Sequence, residues 1–283
     1  QNSGRFSDPQ RHRPFHMYES AYKRASQACC SITVFQGEEL LGEGSGFAIS
    51  ADGLIVTAAH VATCRMPIRE SDYKDPTVRI FAKFPNFPLV EYRVAICGIH
   101  ISDSALTHVA QIDQALLCPV LPLQLPFPPF QIGPPPRLGE EVHFCGYSDE
   151  LELPFGIDRL LEPTSLVAVQ FRQSLHRRGR AQNVAGPMIK RGVVGNVLVV
   201  STQEYPSNEE ITCNVLYIDN GIHSGASGGP VFNRDGQAVG VIVQRATTSA
   251  SQAADASLLV PSGSTVALSL QTVPFMHRKA SRA

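Results

Sequence analysis

The 283-residue sequence has no tryptophan and few other aromatic residues, with 7 Tyr and 14 Phe. It also has no run of 18 apolar residues, which argues against a membrane-spanning helix. Glycine and proline are abundant instead, with 22 and 21 residues, so turns are frequent and long helices are not expected. Because 43% of the residues are hydrophobic, the chain can bury a substantial core. The composition therefore favours an all-β globular protein.

A charge excess of either sign is absent. The 24 basic and 25 acidic residues give a net charge of −1, so there is no global field to attract nucleic acid or an acidic membrane surface. Residues 172–191 do carry six Arg or Lys and no acid. We interpret them as a solvated surface loop, with a docking site for an acidic partner or a regulatory loop as the alternative. Only Phe171 adjoins this loop, so stacking on nucleic acid has little support.

Paired cysteine motifs and metal-ligand spacings are also lacking. The odd number of cysteines and their apolar neighbours predict buried free thiols in a reducing compartment. His100, His108 and His143 are scattered in predicted strands, so neither a metal nor another cofactor is predicted. The seven cysteines lie at positions 29, 30, 64, 97, 118, 145 and 213.

The order of strand-like runs predicts two β domains of comparable size. Short runs rich in β-branched residues, separated by turn residues, are typical of antiparallel sheets. Eight prolines between residues 119 and 136 cannot supply sheet hydrogen bonds and indicate a stiff connector. "PSGSTVALSL" (261–270) has the features of an N-capped terminal helix. The predicted units are an N-terminal arm (1–27, with a short helix over 17–27), a first β unit that is either closed or sandwiched (28–121), a Pro-rich linker (122–137), and a similar second β unit with a C-terminal helix (138–275).

The stretch "HSGASGGPVF" surrounds Ser227 with glycines, and "LIVTAAH" brings His60 to the end of a strand after an Asp-Gly turn. A serine hydroxyl is a weak nucleophile unless a histidine accepts its proton and an acid orients that histidine. Glycines permit a loop whose amides, here those of Gly225 and Ser227, point at a developing oxyanion. The two motifs together predict an acyl-transfer site.

"TAAHV" and "GASGGP" resemble the two signatures of the chymotrypsin-like serine peptidases, particularly the bacterial-type HtrA branch. The resemblance covers roughly residues 28–272 and implies two six-stranded antiparallel β-barrels with the site between them. It also implies protein or peptide substrates. The branch often carries a PDZ module after the peptidase unit, and we expect none within these 283 residues. Because Ala226 replaces the aspartate of the zymogen-activated digestive enzymes, we expect no activation by cleavage before an N-terminal isoleucine.

The acid is the least certain member of the triad in the sequence. We favour Asp103 in "ISDSAL", because the resemblance places the acid at the start of an apolar strand. Asp113 in "AQIDQALL" and Asp72 or Asp75 in a polar loop are the alternatives. Asp113 would fall at the far end of the same predicted strand.

The pocket for the residue before the scissile bond should involve the segments around Gly221, around Val243 and around Leu258. Gly221 stands where the trypsin-type pocket carries its aspartate, so a preference for Lys or Arg is not expected. An uncharged pocket would favour small or medium apolar side chains. The predicted substrate-binding residues are Gly221, His223, Val243, Gln244 and Leu258, with His223 interpreted as a loop residue at the pocket rim.

The sequence therefore predicts a serine endopeptidase that uses His60, Asp103 and Ser227 and requires no cofactor. The principal alternative is a chymotrypsin-like domain that is catalytically inactive and serves as a binding or regulatory module. An esterase built on the same residues is a third possibility.

Overall fold

The computed structural model describes residues 14–69, 71–101, 110–147, 186–204, 209–249 and 259–281. Twelve strands in these segments form two closed six-stranded barrels, and every pairing between neighbouring strands is antiparallel. The predicted all-β fold with two barrels is confirmed. No helix in the described segments is long and apolar enough to cross a membrane.

The first barrel is built from the first six strands in the order β1-β2-β3-β6-β5-β4, and β4 closes it by pairing with β1. The predicted Asp52-Gly53 turn joins β2 to β3, with Gly53 at φ +87°. Helices α2 (Ala59–Thr63) and α3 (Ser71–Lys74) follow β3. The strands are β1 (Cys29–Gln36), β2 (Glu39–Ala48), β3 (Ile55–Thr57), β4 (Val78–Lys83), β5 (Leu89–Ile101) and β6 (Ala110–Pro119).

The second barrel has the order β10-β11-β12-β9-β8-β7, and β7 closes it by pairing with β10. One predicted strand, "TSLVAVQF" (164–171), lies outside the described residues. The strands are β7 (Glu141–Gly146), β8 (Met188–Glu204), β9 (Glu209–Ile218), β10 (Pro230–Phe232), β11 (Ala238–Ser249) and β12 (Leu259–Ser269).

The terminal helix predicted within residues 261–270 is wrong in position. These residues belong to β12, which pairs with β11 on one side and with β9 on the other. Over residues 264–267, partly buried Ser264 and Val266 alternate with fully buried Thr265 and Ala267, as in a strand. The chain turns through a 3-10 segment (Leu270–Thr272), and the C-terminal helix α4 follows it (Val273–Ala280).

The proline-rich connector joins the barrels by a few backbone hydrogen bonds. Leu125 N–H donates to Ala51 O, and Phe130 N–H donates to Ala48 O, both at 2.9 Å in the first barrel. Gly133 N–H then donates to Ala238 O of the second barrel at 2.8 Å. The non-proline residues of the connector therefore dock it on both barrels.

Three buried clusters make up the core. One fills the first barrel and another the second, while the third lies between the barrels and also includes residues of helices α1 (Pro14–Ala28) and α4. The N-terminal helix predicted over residues 17–27 is thus present, with Ala21, Ala25 and Ala28 buried in the cluster between the barrels. The candidate site lies where the two barrels meet.

Candidate active site

His60 lies at the junction of a buried strand and a short helix. Strand β3 is fully buried and ends at Thr57, and α2 begins at Ala59. The backbone N–H of His60 belongs to the first turn of α2, where N–H groups have no partner within the helix. It donates to Asp113 Oδ1 at 2.9 Å, and the imidazole Nδ1 lies 2.6 Å from Asp113 Oδ2. One carboxylate therefore holds both the backbone and the ring of His60.

This pairing defines the form of the imidazole that suits a general base. When Nδ1–H donates to a carboxylate, Nε2 is left as the acceptor. The side chain of His60 is 29% exposed and that of Asp113 only 16%. The aspartate is thus on the protein side of the pair, while the histidine faces the cleft.

The acid that contacts His60 in the structure is Asp113, whereas the favoured Asp103 lies outside the described residues. The sequence predicts Asp113 at the far end of its strand if that strand begins near residue 104. The described part of β6 instead begins at Ala110, so that Asp113 is its fourth residue. Ile112 and Gln114 on either side are buried. Because successive side chains of a strand point to opposite faces, the Asp113 carboxylate lies on the other face of β6.

A signal in the sequence could have identified Asp113. The pattern Asp-x-Ala-Leu occurs twice, once from Asp103 to Leu106 and again from Asp113 to Leu116. In the second copy, Ala115 and Leu116 continue into Leu117, and all three are fully buried in β6. A longer apolar run after the aspartate therefore distinguishes the copy that faces His60.

The loop of Ser227 is attached to the first barrel by its backbone. Ser45 N–H donates to the carbonyl of Ser227 at 2.8 Å, while Gly228 N–H donates to Ile242 O at 2.7 Å. Gly228 has φ +85°, and a methyl group there would lie 2.0 Å from Ser45 O and 2.2 Å from Thr57 Oγ1. Only glycine fits this close approach. The loop is thereby packed against the strand that leads to His60.

Ser45 is a site residue that sequence reasoning missed. It is fully buried, and its Oγ donates to Gly225 O at 2.9 Å and accepts from Tyr147 N–H at 2.8 Å. With its backbone bond to Ser227, this one residue of β2 contacts the Ser227 loop twice. In the sequence it is a serine between two glycines, with nothing to indicate long-range contacts.

The role of the Gly225 and Ser227 amides as oxyanion donors stays a prediction, and the geometry of the loop is compatible with it. Gly225 has φ +81°, and within the described residues neither the Gly225 nor the Ser227 amide donates to a backbone carbonyl. Ala226 between them is buried, and its N–H donates to His223 O at 3.4 Å. Backbone hydrogen bonds thus hold the loop without the ion pair of the digestive enzymes.

A largely apolar cavity of about 530 Å³ adjoins His60 between the barrels. Two of the predicted substrate-binding residues, Val243 and Gln244, line it, whereas Leu258 lies outside the described residues. Such a groove can accept the side chains of an extended peptide. The lining residues are His60, Met66, Gln111, Ile112, Asp113, Val200, Cys213, Val215, Val243, Gln244 and Leu268.

The other two predicted substrate-binding residues, Gly221 and His223, lie on the loop that leads to Ser227. They do not line the cavity that adjoins His60. A charge lies next to Gly221, because Lys190 Nζ donates to its carbonyl at 2.5 Å. Lys190 belongs to the basic segment 172–191, of which residues 172–185 lie outside the described residues. The end of that segment is therefore part of a strand, and one of its charges reaches the loop before Ser227.

No disulfide forms, as predicted, because all seven cysteines are free. Five are buried, but Cys64 is exposed and Cys118 is half-buried. Cys97 lies beside the helix that carries His60, with its thiol 3.9 Å from Ala59 O. Burial raises the pKa of Cys97 to about 12, and the negative charge of Asp113 acts in the same direction. This thiol is therefore protonated near neutral pH and does not compete as the nucleophile.

Comparison with protein families gives one match, to the trypsin-like peptidase domain over residues 44–241. This range contains His60, Asp113 and Ser227 and begins one residue before Ser45. A comparison with curated protein sequences finds no match.

Solved structures of the Rv3671c protease from M. tuberculosis share the fold. The active form is 18% identical, with a TM-score of 0.53, and the alignment covers 99% of this chain and 93% of that chain. An inactive form carrying a serine-to-alanine mutation is also 18% identical, with a TM-score of 0.52 and coverage of 95% and 94%. The similarity extends over both barrels.

Proposed function

Since the chain belongs to the trypsin-like peptidase domain family and is a serine peptidase, we propose that it is an endopeptidase whose triad is Ser227, His60 and Asp113. The observation that carries the proposal is the double hydrogen bond from Asp113 to His60. An aspartate that orients the catalytic histidine is the part of such a triad that chance rarely produces. The proposed substrates are proteins or peptides.

The positions of neighbouring groups support Ser227 as the nucleophile. A methyl group at Gly44 would lie 2.6 Å from Val61 Cγ1 and 3.2 Å from the carbonyl oxygen of Ser227. Val61 follows His60 directly in α2. The histidine helix and the serine loop therefore flank the same glycine.

In the proposed reaction, Ser227 Oγ attacks the peptide carbonyl while its proton passes to His60 Nε2. Asp113 stabilises the imidazolium, and the Gly225 and Ser227 amides donate to the oxyanion. His60 then returns the proton to the leaving amine, which breaks the peptide bond and leaves an acyl-enzyme. Water, deprotonated by His60, attacks this ester and releases the acid and the free serine.

Labelling with a fluorophosphonate tests the proposal, because the reagent reacts only with an activated serine. We expect one adduct per chain, located at Ser227 by mass spectrometry, and none in Ser227→Ala. Digestion of an unfolded protein should give fragments with wild type and none with Ser227→Ala. A folded wild type that is neither labelled nor active would refute the proposal and support a binding module. Cleavage of esters but not of peptides would instead make the protein an esterase.

A further inference from the structure

Lys190 points into the second barrel, although its neighbours in sequence are partly exposed basic and apolar residues. On β8, Arg191 and Val193 are exposed, whereas Gly192 and Val194 are buried, so alternate residues face inward. Lys190 is two residues before Gly192 and therefore points to the same, inward face of β8. It pairs with Phe144 of β7, which is fully buried. The lysine stem thus lies on the barrel side of its strand.

Among the residues that the structure describes, the ammonium group of Lys190 has one polar partner, the carbonyl of Gly221. Its Nζ donates to Gly221 O at 2.5 Å, and within the described residues it forms no ion pair. Asp219, two residues before Gly221, accepts from Val193 N–H at 2.7 Å through Oδ1 and forms no ion pair with Lys190 within the described residues. An ammonium group has three donors, and a partly buried one without a counter-charge is unfavourable. An anion supplied from outside would complete its environment.

The loop before the nucleophile holds Gly221 next to this charge. Asn220 Nδ2 donates to Arg191 O at 2.9 Å, and Thr265 Oγ1 donates to Asn220 O at 2.7 Å. Gly221 faces the backbone of Gly263, since a methyl group on Gly221 would lie 3.3 Å from Gly263 Cα. Neither glycine has a side chain that could pair with Lys190. The same loop continues to Ser227 six residues later, so the charge of Lys190 lies against the segment that leads to the serine.

We propose that Lys190 determines substrate specificity by binding a carboxylate, so that the enzyme prefers Asp or Glu as the residue whose carbonyl Ser227 attacks. This inference rests on the proposed peptidase function. It replaces the sequence-based expectation of a small or medium apolar side chain, which assumed that Gly221 had uncharged surroundings. The carboxylate would accept from the two N–H groups of the ammonium that Gly221 does not use.

Four peptides that differ only at the residue before the scissile bond, Glu, Gln, Leu or Lys, test the proposal through kcat/KM. Gln has nearly the shape of Glu but no charge, so their ratio isolates the charge. We expect wild type to prefer Glu over Gln by about 10- to 100-fold, the range of a charge-assisted hydrogen bond. Lys190→Met should bring the two rates together, and Lys190→Glu should favour the Lys peptide.

Arg191→Met is the matched control, because it removes the same charge from the next residue of the strand, which faces outward. It should keep the preference for Glu. If Lys190 only supported the loop, Lys190→Met would slow all four peptides equally, and this result would overturn the proposal. So would a labelled, active wild type without preference for Glu. Absence of labelling at Ser227 would instead refute the peptidase function itself, and the specificity with it.

Discussion

Among single residues, Asp113 has the most specific role, because its two oxygens hold His60 at two points. Asp113→Asn should lower kcat about 10³- to 10⁴-fold without unfolding the protein, since an amide that donates to Nδ1 would stabilise the wrong imidazole tautomer. Peptide hydrolysis near neutral pH measures the effect. Asp103→Asn is the control and should change kcat little. If Asp103→Asn lowered kcat more than Asp113→Asn, Asp103 and not Asp113 would be the acid of the triad.

Ser45 is expected to position the nucleophile without touching the substrate. Ser45→Ala removes the hydroxyl that links Gly225 O to Tyr147 N–H, so the loop gains freedom. We expect kcat to fall about 10- to 100-fold with little change in KM, because a small displacement of the reacting groups is costly.

Ser201→Ala is the control for Ser45, since the one hydrogen bond of its hydroxyl to a described residue joins it to Thr212 Oγ1 at 3.1 Å, on an exposed part of the barrel. Both variants remove one hydroxyl from a strand. Equal activity of the two would show that the loop does not need Ser45.

Among the secondary-structure elements, helix α1 packs over a buried histidine. His143 stacks on Phe232 with ring centroids 5.5 Å apart, and Tyr18 and Tyr22 of α1 lie at 5.5 and 5.4 Å. Within the described residues, neither ring nitrogen has a hydrogen-bond partner. Burial lowers the pKa of His143; nearby Glu141 raises it, and Arg191 and Arg234 lower it further. The folded protein therefore favours the neutral ring.

This depressed pKa makes stability depend on pH. Below about pH 6.5 the unfolded chain binds a proton at His143 that the folded chain resists, so stability falls as pH decreases towards the folded pKa. Above pH 6.5 the contribution is fully present. We expect the midpoint of urea unfolding to be at a lower urea concentration at pH 5.5 than at pH 7.5. His143→Phe should make this difference smaller. An identical pH dependence in the variant would contradict this assignment.

The elements also show what local patterns can predict. The helix over 17–27 and most strands follow from the sequence, because their periodicity agrees with their final environment. Residues 261–270 were predicted as a helix because Pro and Ser before an apolar stretch are typical of a helix start. Pairing of this segment with both β9 and β11 makes it a strand. Such long-range pairing leaves no distinct signal in the segment itself.

For the molecule as a whole, the two-barrel architecture and the residues His60 and Ser227 could be read from turn spacing and short motifs. The contacts between barrels could not, because they join residues more than 100 positions apart. The contact of Ser45 with Gly225 is of this kind, while that of Lys190 with Gly221 lies within the second half of the chain. In both contacts a single side chain donates to a backbone carbonyl. Every residue has a backbone carbonyl, so the sequence does not show which one accepts a given hydrogen bond.

Phe130 connects the barrels through aromatic contacts. It is almost fully buried, and its ring lies 5.7 Å from Phe47 of the first barrel and 5.8 Å from Phe232 of the second. Because the cluster that contains it draws residues from both barrels, the two should unfold together. Phe130→Ala should lower the free energy of unfolding by about 3–5 kcal/mol.

Because the chain has no Trp, a tryptophan introduced in either barrel is a unique fluorescent probe. Phe35→Trp would report on the first barrel and Tyr217→Trp on the second. In each background, Phe130→Ala should shift the urea transition to the same lower midpoint, since loss of the shared cluster weakens both barrels. Leu121→Ala, at a 75% exposed connector residue, should leave both midpoints unchanged. Separate midpoints for the two probes before any mutation would show that each barrel is stable alone, and that the cleft is not maintained by their common core.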